Sequence, residues 1–206
     1  MEDKIDIDGD GAIDLEVSRK TGSRLNIILA HGSKSNMYYS LIQKLFDALK
    51  DNYSVLRFNF TFINGGDEGD VKLSLAELVK CIEYMGKKNI VLIGMSYGAS
   101  VSTLLAGRKD LGVKKVIALA YPLHKIGRPD ELYPLNHMKG SLPVEFVVGD
   151  SDHHSEIDLF GKLLPGYKMH KVKNAWHSFQ DTKTGDKEAN ENRVVYIVKQ
   201  IVSEIK

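Results

Sequence analysis

Residues 89–100 read Asn-Ile-Val-Leu-Ile-Gly-Met-Ser-Tyr-Gly-Ala-Ser and place Ser96 between two glycines, directly after an apolar run. Residues 90–93 are all β-branched or leucine, which is typical of a strand covered on both faces. After the serine, Val101 and Leu104 begin an apolar stripe at helical spacing. A strand, then Gly-x-Ser-x-Gly, then a helix predicts a sharp turn that exposes the serine at the carboxyl end of a central strand.

The same alternation continues along the chain on both sides of this turn. Short apolar runs predict strands at 25–30, 54–60, 89–93, 115–120, 143–148 and 167–172. Amphipathic segments between them predict helices, for example one whose apolar stripe contains Leu41, Leu45 and Leu49. Strand and helix in alternation predict an α/β fold, a three-layer α/β/α sandwich with a mostly parallel sheet. With no linker, repeat or composition shift, we expect residues 1–206 to form one domain.

The N-terminal segment resembles a calcium loop but reads better as two strands. Residues 6–14 follow the EF-hand spacing, but Val17 stands where a bidentate glutamate is required and no helix precedes the loop. Apolar residues alternate on both sides of a Gly-Asp-Gly turn at 9–11. This pattern predicts an antiparallel β-hairpin at one edge of the sheet.

Composition argues against several classes of protein. The chain has 28 basic and 27 acidic residues and a net charge of +1, without a basic stripe, so nucleic acid is not an expected partner. No apolar run is long enough to cross a membrane. The single cysteine, Cys81, cannot form an intrachain disulfide and is predicted to be a packed thiol, and the acidic N-terminus does not resemble a signal peptide. We therefore expect a cytoplasmic protein with no membrane partner.

Ser96 requires a base and an acid if it is a nucleophile, and both follow it in the chain. The flanking glycines fit a strained strand-to-helix turn that leaves no room for side chains at those positions. The acid is expected just after a later strand, where Asp150 and Asp152 follow residues 143–148. We favour Asp152, because Asp150 is close enough to the strand end to cap the loop backbone. Asp152 would accept a hydrogen bond from the histidine and fix its tautomer.

The base is expected on the loop after the last strand, where His177 lies. His170 falls inside the strand and is predicted to be a surface or packing residue, while His153 and His154 follow Asp152 too closely. An oxyanion hole needs two backbone N–H groups. We assign one to Tyr97, and the other to Ser33 in the loop after residues 25–30, where His31 is expected to brace the loop.

These residues together resemble the α/β-hydrolase superfamily. The similarity rests on His31-Gly32, Arg57-Phe58-Asn59-Phe60, Gly94-Met95-Ser96-Tyr97-Gly98, Gly149 with Asp152, and His177-Ser178-Phe179. The loop Tyr121-Pro122-Leu123-His124, continuing to Gly127-Arg128-Pro129, is similar to the small lidless branch near dienelactone hydrolases and the testis-expressed protein 30 group. The resemblance implies a triad of Ser96, Asp152 and His177, with Ser33 and Tyr97 forming the oxyanion hole.

The sequence thus predicts a serine hydrolase acting on small esters or related acyl compounds, with a small-molecule substrate and no cofactor or metal. The alternative is a binding or scaffold protein that retains the fold without turnover. A third reading is a metallohydrolase, whose metal ligands would be Asp150, Asp152, His153, His154 and Glu156. Only about 22 residues separate residue 120 from residue 143, which predicts an open pocket without a lid. Candidate pocket residues are Met37, Tyr38, Phe62, Tyr121 and His124.

Overall fold

The computed structural model describes residues 2–7, 11–64, 70–125 and 127–206. Ten strands and five α-helices lie within these residues. The strands are β1 (Glu2–Ile7), β2 (Gly11–Ser18), β3 (Asn26–Ala30), β4 (Ser54–Phe58), β5 (Ile90–Met95), β6 (Val113–Leu119), β7 (His124–Lys125), β8 (Arg128–Leu132), β9 (Val144–Gly149) and β10 (Lys168–Val172). The helices are α1 (Ser40–Leu49), α2 (Val71–Tyr84), α3 (Tyr97–Thr103), α4 (Ile157–Leu163) and α5 (Glu188–Glu204).

Eight strands form one sheet in the order β1-β2-β4-β3-β5-β6-β9-β10. Six of these strands, β4, β3, β5, β6, β9 and β10, run parallel to one another. In contrast, β2 pairs antiparallel with β4, and β1 pairs antiparallel with β2. The predicted α/β class, the mostly parallel sheet and the antiparallel N-terminal strands are therefore confirmed. Each of the six predicted parallel strands is present, with bounds that differ by no more than two residues.

The N-terminal hairpin has a register in which Ile5 lies opposite Ile13. Its inward residues on β2, Ile13, Leu15 and Val17, are buried. This alternation is the strand period rather than the pattern of an ion-binding loop. The turn residues Gly9 and Asp10, and the Asp8 of the calcium reading, lie outside the described residues.

Two apolar layers cover the sheet, one on each face. Helices α1 and α5 pack on one face, where Leu45 and Val198 belong to the same buried cluster. Helices α2, α3 and α4 cover the other face with residues such as Leu78 and Phe160. The arrangement is the predicted three-layer sandwich. Cys81 is fully buried in the second layer, and burial raises the pKa of its thiol well above the ordinary value.

The segment between β6 and β9 contains structure that the sequence pattern did not predict. Strands β7 and β8 form a separate two-stranded ribbon, and a 3₁₀ turn follows at Asn136–Met138. These strands are mostly exposed and polar, so they lack the apolar run used to find the central strands. Within the described residues, no helix is both long and apolar enough to span a membrane.

Candidate active site

Ser96 occupies the turn between β5 and α3 in a backbone conformation that is rare for a residue with a side chain, φ 51° and ψ −114°. Its N–H donates to the Leu119 carbonyl at 2.9 Å, and its own carbonyl accepts the Ser100 N–H at 3.0 Å. These bonds tie the turn to β6 on one side and to the first helical turn on the other. The side chain is consequently held out at the carboxyl edge of the sheet.

The two glycines beside Ser96 are required by close backbone contacts. A Cβ on Gly94 would overlap the Gly98 carbonyl, and one on Gly98 would lie 2.5 Å from the carbonyl oxygens of Ala30 and His31. Real Cβ atoms do not approach backbone oxygens so closely. The glycines therefore allow the turn to pack against the end of β3.

His177 and Asp152 lie beside the serine in a continuous hydrogen-bonded chain. The His177 Nε2 is 2.8 Å from the Ser96 Oγ, and the Nδ1 is 2.9 Å and 3.1 Å from the two carboxylate oxygens of Asp152. A carboxylate can only accept, so the Nδ1 carries the hydrogen and the Nε2 is free to accept from the serine hydroxyl. The Asp152 side chain is fully buried, while that of His177 is 26% exposed.

The turn after β9 that carries Asp152 (the acid turn) and the loop after β10 that carries His177 (the histidine loop) meet at Gly149. The sequence pattern did not reveal this contact. A Cβ on Gly149 would overlap the Ala175 carbonyl, which accepts the Ser151 N–H at 3.1 Å. The turn is closed further by the His154 N–H, which donates to the Asp152 Oδ1 at 2.8 Å. A glycine three residues before the acid of the loop is the sequence signal for this approach, but it can be interpreted only once the two loops are known to touch.

The other candidate acid and metal ligands point to separate partners. Asp150 is exposed and accepts the Ser151 hydroxyl at 3.0 Å, so it does not reach His177. The His153 ring packs edge-on to Trp176 at 4.8 Å, and the His154 ring packs against His177 at 4.5 Å. Across the described part of the chain, no three His, Cys, Asp or Glu side chains are grouped to hold a metal ion.

The loop after β3 is fixed through the Gly32 carbonyl. This oxygen faces the His31 Nδ1 at 2.7 Å, the Ser35 N–H at 3.2 Å and the Ser35 hydroxyl at 3.0 Å. The Phe60 N–H donates to the other nitrogen of His31 at 3.1 Å, so the Nδ1 must carry the hydrogen that Gly32 accepts. Burial lowers the pKa of His31 to about 4, and the ring is therefore neutral at pH 7. His31 braces the loop, as the sequence predicted.

The Ser33 N–H belongs to the same peptide unit as the Gly32 carbonyl. In a planar trans peptide the C=O and N–H bonds point in opposite directions. Since the carbonyl is held by three donors inside the protein, the Ser33 N–H is directed away from them. Ser33 and Tyr97 both line the cavity that contains Ser96, so the structure brings together both residues assigned to the oxyanion hole.

The far end of this loop is held by Met37, whose peptide groups are gripped from both sides. The Met37 N–H donates to the Asn59 Oδ1 at 2.8 Å, and its carbonyl accepts from the buried Arg57 guanidinium at 3.1 Å. Arg57 also pairs with Glu16 on β2, partly through a bond of 2.8 Å from its Nε. The Arg-Phe-Asn-Phe segment thus joins the hairpin, β4 and the loop after β3 into one hydrogen-bonded unit.

A cavity of about 680 Å³ opens at Ser96. Of the five predicted pocket residues, Tyr121 and His124 line it. The predictions for Met37, Tyr38 and Phe62 are wrong: Met37 and Tyr38 face a separate, smaller depression, and Phe62 is buried against the rings of His31 and Tyr97. The sequence could not separate these sites because all three residues follow strands that end at the same edge of the sheet.

His124 joins the β6–β7 segment to the acid turn. Its ring is almost fully buried, with the Nδ1 2.9 Å from the Lys125 carbonyl and the Nε2 2.8 Å from the Glu156 carboxylate. Burial acts to lower the pKa of His124, but these hydrogen bonds and the negative charge of Glu156 raise it overall. The Leu123 N–H adds a bond of 2.7 Å to the His154 carbonyl. One wall of the cavity is therefore attached to the turn that holds Asp152.

Comparison with known proteins agrees with this architecture. A family model described as an alpha/beta hydrolase domain matches residues 23–206. No curated protein matches the sequence significantly.

Solved structures supply similar folds over nearly the whole chain. An alpha-beta serine hydrolase homologue from Coxiella burnetii has a TM-score of 0.74 and 18% identity, covering 97% of this chain and 96% of its own. Est1E from Butyrivibrio proteoclasticus has a TM-score of 0.71 and 15% identity, with 98% of both chains covered. A lidless serine hydrolase from Xanthomonas campestris has a TM-score of 0.67 and 19% identity, covering 97% of this chain and 92% of its own. At these low sequence identities the structural matches show a shared fold alone. The family-model match over residues 23–206 shows that the chain belongs to the α/β hydrolase domain family.

Proposed function

We propose that the protein is a serine hydrolase that cleaves carboxylic esters or related acyl compounds through an acyl-enzyme on Ser96. The observation that carries this proposal is the chain of hydrogen bonds from Ser96 through His177 to Asp152, at 2.8 and 2.9 Å. The hydrogen-bond distances, the order of the three residues along the chain and the tautomer of His177 all agree with a nucleophile, a base and an orienting acid. The resemblance to dienelactone hydrolases supports a small acyl substrate and no cofactor.

In the first half of the reaction, the Ser96 oxygen attacks the substrate carbonyl carbon while its proton passes to the His177 Nε2. The tetrahedral oxyanion then collapses, the bond to the leaving group breaks, and His177 returns the proton to the leaving oxygen. The products of this half are the free alcohol and an ester of Ser96.

Water completes the cycle by the same route. His177 takes a proton from a water molecule that attacks the acyl-enzyme, and it then protonates the Ser96 oxygen as the acid product leaves. The buried Asp152 carboxylate stabilises the imidazolium in both halves, because it is the nearest anion and is shielded from solvent.

Charge on the tetrahedral oxygen would be stabilised by the N–H groups of Ser33 and Tyr97. Tyr97 is the first residue of α3, so its N–H lies at the positive end of that helix. The Gly32 carbonyl is anchored before substrate arrives, so little reorganisation of the Ser33 N–H is needed during the reaction.

The alternative is a protein with the same fold but no catalytic activity. In such a protein, backbone strain at Ser96 would serve no function. Its φ of 51° is costly for a side-chain residue, and both neighbours of the turn are glycines that permit it. This investment supports a working nucleophile over a vestigial one.

A fluorophosphonate probe tests the proposal directly, because it labels only an activated serine. We expect time-dependent labelling of the wild type, no labelling of Ser96→Ala, and at least a hundredfold slower labelling of His177→Ala. His153→Ala is the matched control, since His153 is exposed and outside the cavity, and it should label at the wild-type rate. A folded wild type that does not react with the probe or with any short acyl ester would overturn the proposal.

A further inference from the structure

His137 is one of the polar residues that line the cavity without a role in the triad. His137 lines the cavity from the 3₁₀ turn at Asn136–Met138. Its neighbours fix this turn firmly: Met138 is buried, and the Met138 carbonyl accepts the Tyr167 hydroxyl at 2.8 Å. The ring is therefore presented to the cavity by a rigid segment.

The hydrogen on the His137 ring can be assigned from its contact with Thr103. The Thr103 Oγ1 lies 2.8 Å from the Ser100 carbonyl and 3.1 Å from the His137 Nε2. We assign the single hydroxyl hydrogen of Thr103 to the shorter bond, the one to Ser100, and in this arrangement the Nε2 is the N–H that donates to Thr103.

The other ring nitrogen, Nδ1, is consequently an acceptor. Burial lowers the pKa of His137, which keeps the ring neutral and this lone pair available at pH 7. In the described ranges 2–7, 11–64, 70–125 and 127–206, no hydrogen bond to the Nδ1 is found. A partly buried acceptor that lacks a protein donor is suited to a ligand that brings one.

The surface between Ser96 and His137 is largely apolar. Val101 and Leu104, which belong to α3 and its C-terminal end, line the cavity together with Pro122 and Pro134. Leu104 is eight residues after Ser96, so this part of the cavity extends about 12 Å along the helix axis, the reach of roughly eight bonds of an acyl chain. The cavity is also large enough to enclose a substrate well above the size of acetate.

The acyl group fits this branch of the cavity better than the alcohol does. His177 must protonate the leaving oxygen, so the leaving group lies towards the histidine loop, which packs with α1 and α5 through Phe179. Helix α3 and the turn at His137 belong to the opposite layer, where Val101 and Met138 are buried.

We propose that His137 is a specificity residue that accepts a hydrogen bond from a hydroxyl near the far end of a medium-length acyl chain. The inference rests on the proposed hydrolase function and narrows its substrates to hydroxylated apolar acyl esters.

The first test compares para-nitrophenyl octanoate with its ω-hydroxy analogue, using para-nitrophenyl acetate as the short reference. We expect kcat/KM for the hydroxy ester to exceed that for the octanoate by about fivefold, the value of one neutral hydrogen bond. His137→Phe, which retains a ring but has no acceptor, should remove this preference, measured as the ratio of kcat/KM for the hydroxy ester to kcat/KM for the octanoate.

Two further variants separate recognition from a general effect on structure. His137→Asn retains an acceptor close to the position of Nδ1 and should keep part of the preference. His153→Phe makes the same chemical change outside the cavity and should keep all of it. A hydroxyl preference that is absent in the wild type, or that survives in His137→Phe, would overturn the inference while leaving the hydrolase proposal intact.

Binding to an inactive protein reads the subsite without turnover. In the Ser96→Ala background, calorimetry should show tighter binding of ω-hydroxyoctanoate than of octanoate, and the difference should vanish when His137→Phe is added. That result would support the subsite even if the wild type hydrolysed no ester, whereas equal binding of the two acids in Ser96→Ala would count against it.

Discussion

The Cα of Gly149 lies directly against the carbonyl oxygen of Ala175, with no room between them for a methyl group. This contact joins the end of β9 to the loop that carries His177. Asp152 and His177 are only three and two residues away from it along their segments, so the spacing of the two loops at this point determines whether their side chains can meet.

Gly149→Ala should therefore weaken both the fold and the site. Forcing a methyl group against backbone costs about 1–3 kcal/mol, and separation of the loops should slow fluorophosphonate labelling at least tenfold. Urea unfolding and the labelling rate measure the two effects. Gly161→Ala is the matched control, because Gly161 lies in α4 with no atom near the added methyl group, and it should leave the protein as stable or more stable. Equal behaviour of the two variants would contradict the prediction.

The conformation of Ser96 predicts an unusual order of stability among inactive variants. Glycine tolerates φ 51° and ψ −114° without strain, so Ser96→Gly should be about 1 kcal/mol more stable than Ser96→Ala despite the greater freedom of an unfolded glycine chain. Denaturant unfolding of both proteins gives this difference.

Ser203, an exposed residue of α5, is the reference position, where the difference in stability between the glycine and alanine variants should have the opposite sign. Near the end of that helix the glycine variant should be less stable than the alanine variant, by up to about 1 kcal/mol. The same order at Ser96 as at Ser203 would show that the turn stores no strain.

His31 should make the protein sensitive to mild acid. Its pKa is about 4 in the folded protein and near 6.5 when unfolded, so only the unfolded chain binds the proton between these values. The contribution of neutral His31 to stability is complete above pH 6.5 and is lost as the pH falls towards 4. The part lost by pH 5 is about 2 kcal/mol.

The free energy of unfolding at pH 7.5 and at pH 5 measures this loss. His31→Asn should show a smaller decrease over the interval, and His153→Asn, at an exposed histidine, should match the wild type. If His31→Asn lost as much stability as the wild type between the two pH values, protonation of His31 would not be responsible.

Glu145 should affect the free energy of unfolding in a lower pH range than His31 does, and for a different reason. Burial alone would raise the pKa of this carboxylate, but hydrogen bonds from Lys115 and His170 bring it down to about 2. Its contribution is present above the unfolded value near 4.5 and is lost as the pH falls towards 2. Glu145→Gln should therefore destabilise the protein at pH 7 and much less at pH 3, and a constant difference across that range would rule out the charge as the cause.

Much of the architecture could be predicted from local pattern alone. The strand periods, the glycines around Ser96 and the order of Asp152 and His177 are all consequences of short segments with their own steric or apolar signal. The ribbon of β7 and β8 escaped because its exposed, charged residues carry no such signal.

What depends on two distant segments could not be predicted. The apposition of Gly149 and Ala175, the capture of Met37 by Arg57 and Asn59, and the bond of His137 to Thr103 each require knowledge of which loops meet. For the same reason, sequence alone could not tell that Met37 and Phe62 face away from the cavity while His137 lines it.

The N-terminal hairpin lies outside residues 23–206, the part that matches the family model, yet it changes the exposure of the sheet. Without β1 and β2, strand β4 would be an edge, and all five of its residues are buried in the intact protein. A long unpaired apolar edge is a template for strand addition by another molecule. The outermost strand is instead β1, which carries Asp3, Lys4 and Asp6. Charged side chains on an edge strand disfavour pairing with another chain, so we expect the hairpin to make this edge of the sheet less prone to strand addition.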